Sequence, residues 1–247
     1  MPGIERIPPI LGQHTTAPCQ SQGLPVSPFD SRSKGGYKKE LVNDSIPPFG
    51  AIMSAETSIL FNGLSVSEDV IRAASAVRFL VLDVDGVCTD GKLYFQENGH
   101  PLKCFNAQDG IGIKTALMAG IGIGIITGRN DPCVLARMSQ LGVRDYYAGF
   151  ESKLPKLEAI RRKYHLRKEE MAYLGDDWID LDPMRSVGMP MAVANAVAQV
   201  KKEALYVTSA HGGEGAVREA VEFLLASRRD GKNPADLWTA ATGPARS

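Results

Sequence analysis

No apolar run in this sequence approaches the length of a membrane span. The most hydrophobic stretch, residues 118–127, is short and glycine-rich, whereas a spanning helix needs about 20 apolar residues. Cysteine is scarce: Cys19, Cys88, Cys104 and Cys133 form no CxxC pair and no cluster with histidine. That excludes a zinc site of ordinary spacing and a disulfide framework, and it fits a reducing cytoplasm. Cys88, Cys104 and Cys133 read as small buried hydrophobes. Net charge is also lacking, with 28 basic residues against 28 acidic ones. The chain therefore has no overall field for capturing nucleic acid or an anionic membrane. A secretory signal, with its basic start and long apolar core, is absent too.

What remains is a chain of 247 residues, 44% hydrophobic, enough for one globular domain with tails. Residues 1–52 hold more than half of the prolines, show no apolar periodicity, and include the polar run KGGYKK. Such a segment cannot bury enough apolar surface to offset the entropy of ordering. Residues 1–63 are therefore predicted to be a disordered leader, with Met53 as an alternative start. The globular domain is predicted over 64–228, followed by a mobile polar tail over 229–247.

Within the domain, short apolar runs alternate with helical patterns. Strands are predicted over 79–84, 121–126, around 146–147, over 171–174, 189–193 and 205–207. Helices are predicted to about 76 (capped by Ser67), over 109–120, 131–141, 153–165, 179–187, 196–202 and 216–226. Alternation of this kind predicts an α/β fold: a doubly wound, Rossmann-like parallel sheet with helices on both faces. Two alternating segments, 92–96 and 102–105, flank Asn98-Gly99. That is a hairpin signal, and it predicts a small β-hairpin flap in place of a cap domain.

Ligands of open α/β sheets bind beyond the carboxyl ends of the strands. The unusual polar residues fall there: Asp83 and Asp85 in FLVLDVDGVCTD, Thr127 after IGIGII, and Asp176 and Asp177 after AYLG. Period two places Asp83 and Asp85 on one side of the chain. Lys153 stands where the helix after the third strand begins. Alone it reads as a surface lysine, although an N-terminal position is unfavourable against the helix dipole. An acidic cluster without histidine or cysteine is a hard-oxygen set that selects Mg²⁺. Thr127 can donate to a phosphoryl oxygen and Lys153 can neutralise its charge, as phosphoryl transfer requires. Asp180 is open between helix capping and support of the site, and Arg129 could pair with Asp131 at the surface.

The motifs DVDGVCTDG, ITGR, SKL and GDDWIDLDPM resemble, in order and spacing, the four motifs of the haloacid dehalogenase-like hydrolases. The flap, FNAQDGIGIK and GGEGAVRE resemble its minimal-cap branch, which contains the 3-deoxy-D-manno-octulosonate (KDO) 8-phosphate phosphatases of lipopolysaccharide biosynthesis. The resemblance implies that Asp83 is the nucleophile and Asp85 the acid and base. It implies Mg²⁺ on Asp83, Asp176 and the Asp85 carbonyl, with support from Asp177, Asp180, Gly128 and Arg129. Thr127 and Lys153 would hold the phosphoryl oxygens. A homotetramer is implied, with flaps at its centre and with Gln108, Asp109, Gly212, Gly213 and Arg218 near substrate or a neighbouring subunit. Gln108 and Glu214 depart from basic residues frequent in relatives, which brings in a nine-carbon sialic- or KDN-type 9-phosphate as a competing substrate. A receiver-type regulatory domain is disfavoured by the second aspartate of the DxD. A silent scaffold is disfavoured because Asp83, Asp85, Lys153 and Asp176 are all present.

Overall fold

The computed structural model describes residues 58–61, 64–228 and 233–242. Its centre is a six-stranded sheet of β3 (Phe79–Leu82), β6 (Gly122–Thr127), β7 (Asp145–Ala148), β8 (Met171–Gly175), β9 (Met189–Ala192) and β10 (Tyr206–Val207). The spatial order is β10-β9-β8-β3-β6-β7, with every pair parallel. All four residues of β3 are buried, which is why it reads as a continuous apolar run rather than an alternating one.

The order of the strands locates the site. From β3 the chain winds through β6 and β7 on one side, then returns to place β8 on the other. The crevice of a doubly wound sheet opens at such a reversal. Leu82 is level with Ile125 of β6 and Leu174 of β8. Asp83, Thr127 and Asp176 therefore leave three adjacent strands at nearly one height.

Helices α1 (Glu68–Ser75), α2 (Ala107–Met118), α3 (Pro132–Leu141), α7 (Ala216–Ala226) and α8 (Pro234–Thr242) form one packed group. Helices α4 (Leu154–Lys163), α5 (Leu181–Arg185) and α6 (Ala198–Glu203) form another. The predicted helix 179–187 is split into a 3₁₀ turn, Trp178–Asp180, and α5. Pro183 sits within the first turn of α5, where its missing N–H costs little. The flap is present as β4 (Tyr94–Phe95) paired antiparallel with β5 (Pro101–Leu102).

Several expectations meet a different structure. Part of the stretch predicted to be disordered, Ser58–Phe61, forms β1 and pairs antiparallel with β2 (Leu64–Ser67). Phe61 meets the rings of Phe223 and Tyr206 edge-on at 5.3 and 6.3 Å, and those two rings stack at 4.1 Å. Aromatic burial thus ties β1 to the domain. Part of the tail forms α8, with Pro234 in its first turn and the Asn233 side chain accepting from Ala235 N at 2.9 Å. Met53 and the rest of the leader lie outside the described residues. Ser67 precedes α1 but makes no side-chain cap bond. Cys88 is buried, whereas Cys104 and Cys133 are exposed. Cys104 follows the outward alternation of the flap, and Cys133 lies on the solvent side of the first turn of α3. No helix among the described residues is long and apolar enough to cross a membrane.

Candidate active site

Asp83 is the first residue beyond β3, and its N–H donates to Leu174 O of β8 at 3.2 Å. The chain turns immediately: the N–H groups of Cys88 and Thr89 both donate to Val84 O, at 2.9 and 3.0 Å. Gly86 takes φ +92°, and a Cβ there would sit on Asp176 Oδ2. Only glycine combines that backbone with that close approach. The turn separates two carboxylates that period two would leave alike. Asp83 faces the buried side of the site, and Asp85 faces the flap.

Lys153 is the residue before α4, and its side chain is completely buried. Its Nζ lies 2.8 Å from Asp83 Oδ1 and 2.7 Å from Asp180 Oδ1. The two carboxylates resolve the conflict with the helix dipole and replace the surface reading of this lysine with a buried one. Burial alone would lower the Lys153 pKa, but Asp83 and Asp180 carry it above the usual lysine value.

Asp180 uses both oxygens. Oδ1 accepts from Lys153 and from Tyr173 OH at 2.7 Å, while Oδ2 accepts from the backbone N–H groups of Asp176 at 3.0 Å and Asp177 at 3.4 Å. The alternatives left open for Asp180 are therefore both realised: it caps the turn after β8 and supports the site. Asp177 is exposed and accepts from Trp178 N at 2.7 Å, so its carboxylate serves the turn.

Carboxylate oxygens of Asp83, Asp176 and Asp180 all lie within 4.8 Å of one another. Three carboxylates against one ammonium raise the cost of ionisation. Burial, followed by Asp180, pushes Asp83 up to about 7 against the opposing pull of Lys153. Burial, followed by Asp83 and Asp180, pushes Asp176 up to about 8. Asp176 Oδ1 is buried without a hydrogen-bond partner, an arrangement that is costly unless something else satisfies it. An orphaned oxygen beside a second hard-oxygen donor fits a small divalent cation. Asp83 and Asp176 have oxygens to offer such an ion, and Asp180 has both of its own occupied.

Thr127 ends β6 and is buried. Its Oγ1 accepts from Arg129 N at 3.3 Å, which leaves the hydroxyl hydrogen to donate. Gly128 leaves its side open, with only Phe150 O at 3.9 Å from where a Cβ would be. Arg129 Nε lies 3.5 Å from Asp131 Oδ2, as expected, although Asp131 is buried.

The residues expected near substrate divide. Gly212 and Gly213 pack on the Asp83 loop of their own chain: Gly213 N donates to Val87 O at 3.0 Å, and a Cβ on Gly212 would sit on Gly86 O. Gln108 is exposed and its Oε1 faces Gly215. Glu214 is exposed, 3.9 Å from His211 Nδ1. Asp109 is turned inward, where Oδ1 accepts from Arg218 N at 2.9 Å and holds the start of α7. The Arg218 side chain pairs with Glu222 at 2.6 Å. Asp109 and Arg218 thus join α2 to α7, which pack closely at Gly112.

Two contributors escaped the sequence reading. Tyr173 reads as strand filler, although a tyrosine in a fully buried strand must find a partner for its hydroxyl. Lys103 reads as a flap residue, yet its side chain is only 4% exposed and contacts Asp85 and Asp131. A groove of about 440 Å³ lies at the opposite end of the strands, among Phe79, Gly122 and Asp145. Its carboxylate, Asp145, is committed to Lys163 and Tyr164, so the chemistry belongs to the other end.

The pattern of the haloacid dehalogenase-like hydrolases matches residues 148–220. The KDO 8-phosphate phosphatase of Escherichia coli K12 is 45% identical over 160 residues, 65% of this chain and 85% of that one. The crystal structure of the KDO 8-phosphate phosphatase from Yersinia pestis is 39% identical, with a TM-score of 0.65 over 66% of this chain and 89% of that one. The Moraxella catarrhalis enzyme, solved in complex with magnesium ion, phosphate ion and KDO, is 32% identical with a TM-score of 0.66, over 70% of this chain and 98% of that one. The chain therefore belongs to the haloacid dehalogenase-like hydrolases, among the KDO 8-phosphate phosphatase family, and is a phosphoric monoester hydrolase.

Proposed function

We propose that this protein is a Mg²⁺-dependent phosphatase that releases KDO and phosphate from KDO 8-phosphate through an aspartyl-phosphate on Asp83. The observation that carries the chemistry is the buried Asp83 carboxylate, 2.8 Å from Lys153 and clustered with Asp176, whose Oδ1 is unpartnered. The substrate is taken from the relatives, which span nearly their whole length here.

An Asp83 carboxylate oxygen attacks phosphorus, and the bond from phosphorus to the sugar oxygen breaks. Asp85 gives that oxygen its proton, so the sugar leaves as an alcohol. Asp85 then takes a proton from water, whose oxygen attacks phosphorus. The Asp83–phosphorus bond breaks and inorganic phosphate departs. The Thr127 hydroxyl and Lys153 ammonium hold the phosphoryl oxygens, and Asp180 and Tyr173 keep the ammonium in place. Asp83, Asp176 and the Asp85 carbonyl would hold Mg²⁺. When bound, the ion supplies positive charge that offsets carboxylate repulsion and attracts a phosphate dianion. The flap carries Leu93, Tyr94, Phe95 and Leu102 at 44–57% exposure. An apolar surface of that kind suits burial between subunits, and a homotetramer would cover a site that has no cap of its own.

The test is a phosphate-release screen over KDO 8-phosphate, KDN 9-phosphate and hexose phosphates, with Mg²⁺ or EDTA. A strong, EDTA-sensitive preference for KDO 8-phosphate supports the reading. Preference for the nine-carbon substrate keeps the mechanism and moves the pathway. No release from any substrate by folded, Mg²⁺-loaded protein sinks the reading in favour of a silent scaffold.

A further inference from the structure

Lys103 follows β5 at the base of the flap. Its neighbours Leu102 and Cys104 face solvent, so alternation turns Lys103 inward. Its Nζ contacts Asp85 Oδ1 and lies 3.1 Å from Asp131 Oδ2. A buried ammonium is expensive unless paired, and here two carboxylates from separate loops pair it. Asp131 occupies the cap position of α3 without making the side-chain cap bond. Its carboxylate turns instead to Lys103 and Arg129. Lys103 is the one side-chain donor to Asp85 among the described residues.

We propose that Lys103, anchored by Asp131, is a positioning residue that aims the Asp85 carboxylate at the leaving-group oxygen. The proposal rests on the acid role given to Asp85 above. Proton delivery requires Asp85 within hydrogen-bond reach of that oxygen. A carboxylate released from Lys103 would turn about two side-chain bonds and spend little time there. The defect in leaving-group expulsion should therefore scale with the need for a proton. A sugar alkoxide leaves poorly without one, whereas p-nitrophenolate leaves unaided.

The experiment uses the full chain with Mg²⁺, comparing wild type, Lys103→Met and Lys103→Arg on KDO 8-phosphate and p-nitrophenyl phosphate. For Lys103→Met, single-turnover release of the leaving group should slow about 10- to 100-fold on the sugar phosphate and less than about threefold on the aryl phosphate, while the later hydrolysis of the aspartyl-phosphate, which also uses Asp85, slows alike on both. KM should hold on both, and Lys103→Arg should recover part of the loss. Equal losses on both substrates in leaving-group release would mean a structural role and overturn the proposal. A rise confined to KM for the sugar phosphate would mean a substrate contact, and also overturns it. Should Lys103→Met fail to fold, Asp131→Asn must show the same split between substrates, and an even loss refutes the idea. If wild type hydrolyses no sugar phosphate, the functional reading above fails separately. Positioning is then read from a crystal structure of Lys103→Met or Asp131→Asn: a displaced Asp85 carboxylate upholds it, and an unmoved one overturns it.

Discussion

The Lys153 ammonium lies 2.8 Å from the Asp83 carboxylate, and neither group reaches solvent appreciably. The same ammonium serves Asp180 at 2.7 Å, and Asp176 stands within the same cluster. Fully ionised, three carboxylates and one ammonium leave an excess of two negative charges. A single divalent cation cancels that excess, which links the electrostatics of the fold to the proposed chemistry.

Removing the ammonium should expose how much of the fold leans on it. Lys153→Met leaves Asp83 and Asp180 buried without a cation, at a cost of about 3 kcal/mol near pH 8. Near pH 5 the loss should be smaller, because the Asp83 carboxyl, already pushed upward, can take a proton instead. Urea unfolding at the two pH values measures this. Equal losses would show that the destabilisation is steric rather than electrostatic.

Asp83→Asn separates chemistry from architecture. Turnover should drop by roughly a thousandfold or more, as expected for loss of a nucleophile. Circular dichroism and sedimentation should stay unchanged, because the amide keeps the shape and relieves repulsion within the cluster. Retained Mg²⁺-dependent turnover, with contaminating phosphatase excluded, would dismiss Asp83 as the nucleophile.

How far these residues could be read in advance differs from one to the next. The runs 79–82 and 121–126 declared buried strands by their continuity, and the polar residues after them fell at strand ends by position alone. The convergence of Asp83, Thr127, Lys153 and Asp176 follows once the sheet is parallel. Asp180 was ambiguous because the spacing that caps a turn also points at Lys153, and its two oxygens do both. Lys103 was illegible, since a lysine in an alternating hairpin looks solvated until the hairpin folds over the Asp85 loop. Helix α8 did carry a signal: Asn233 before Pro234 is a cap followed by a preferred first-turn proline, outweighed by the polar composition around it. Strand β1 is anchored by Phe61 through contacts with residues far along the chain, which no local pattern reveals.

The pH dependence of stability follows from the two raised carboxylates. Asp83 and Asp176 move from an ordinary 3.8 to about 7 and about 8 in the folded protein. Between those limits the folded state holds protons that the unfolded state has released. Stability from these groups is therefore greatest at low pH and declines as pH rises toward about 8. A cation bound between the carboxylates reverses the sign of the effect. Thermal melts in EDTA should fall across this window, and Mg²⁺ should raise the melting temperature far more near pH 8 than near pH 5. A Mg²⁺ effect that is flat with pH would count against a cation bound by Asp83 and Asp176.

The flap offers the last test, one of assembly. Leu93, Tyr94, Phe95 and Leu102 bring large apolar side chains together on one small hairpin, with Phe95 57% exposed. Left in water, such a surface forgoes roughly 1.5–3 kcal/mol per side chain that burial would return. Sedimentation velocity at micromolar concentration should therefore show a species larger than the monomer, a tetramer in the proposed arrangement. Phe95→Asp should shift it to monomer, since a charge cannot be buried there without a partner. If neighbouring subunits cover the site, that monomer should also show a higher KM while the Asp83 cluster remains folded. A wild-type protein that sediments as a monomer would remove both the assembly and the covering role of the flap.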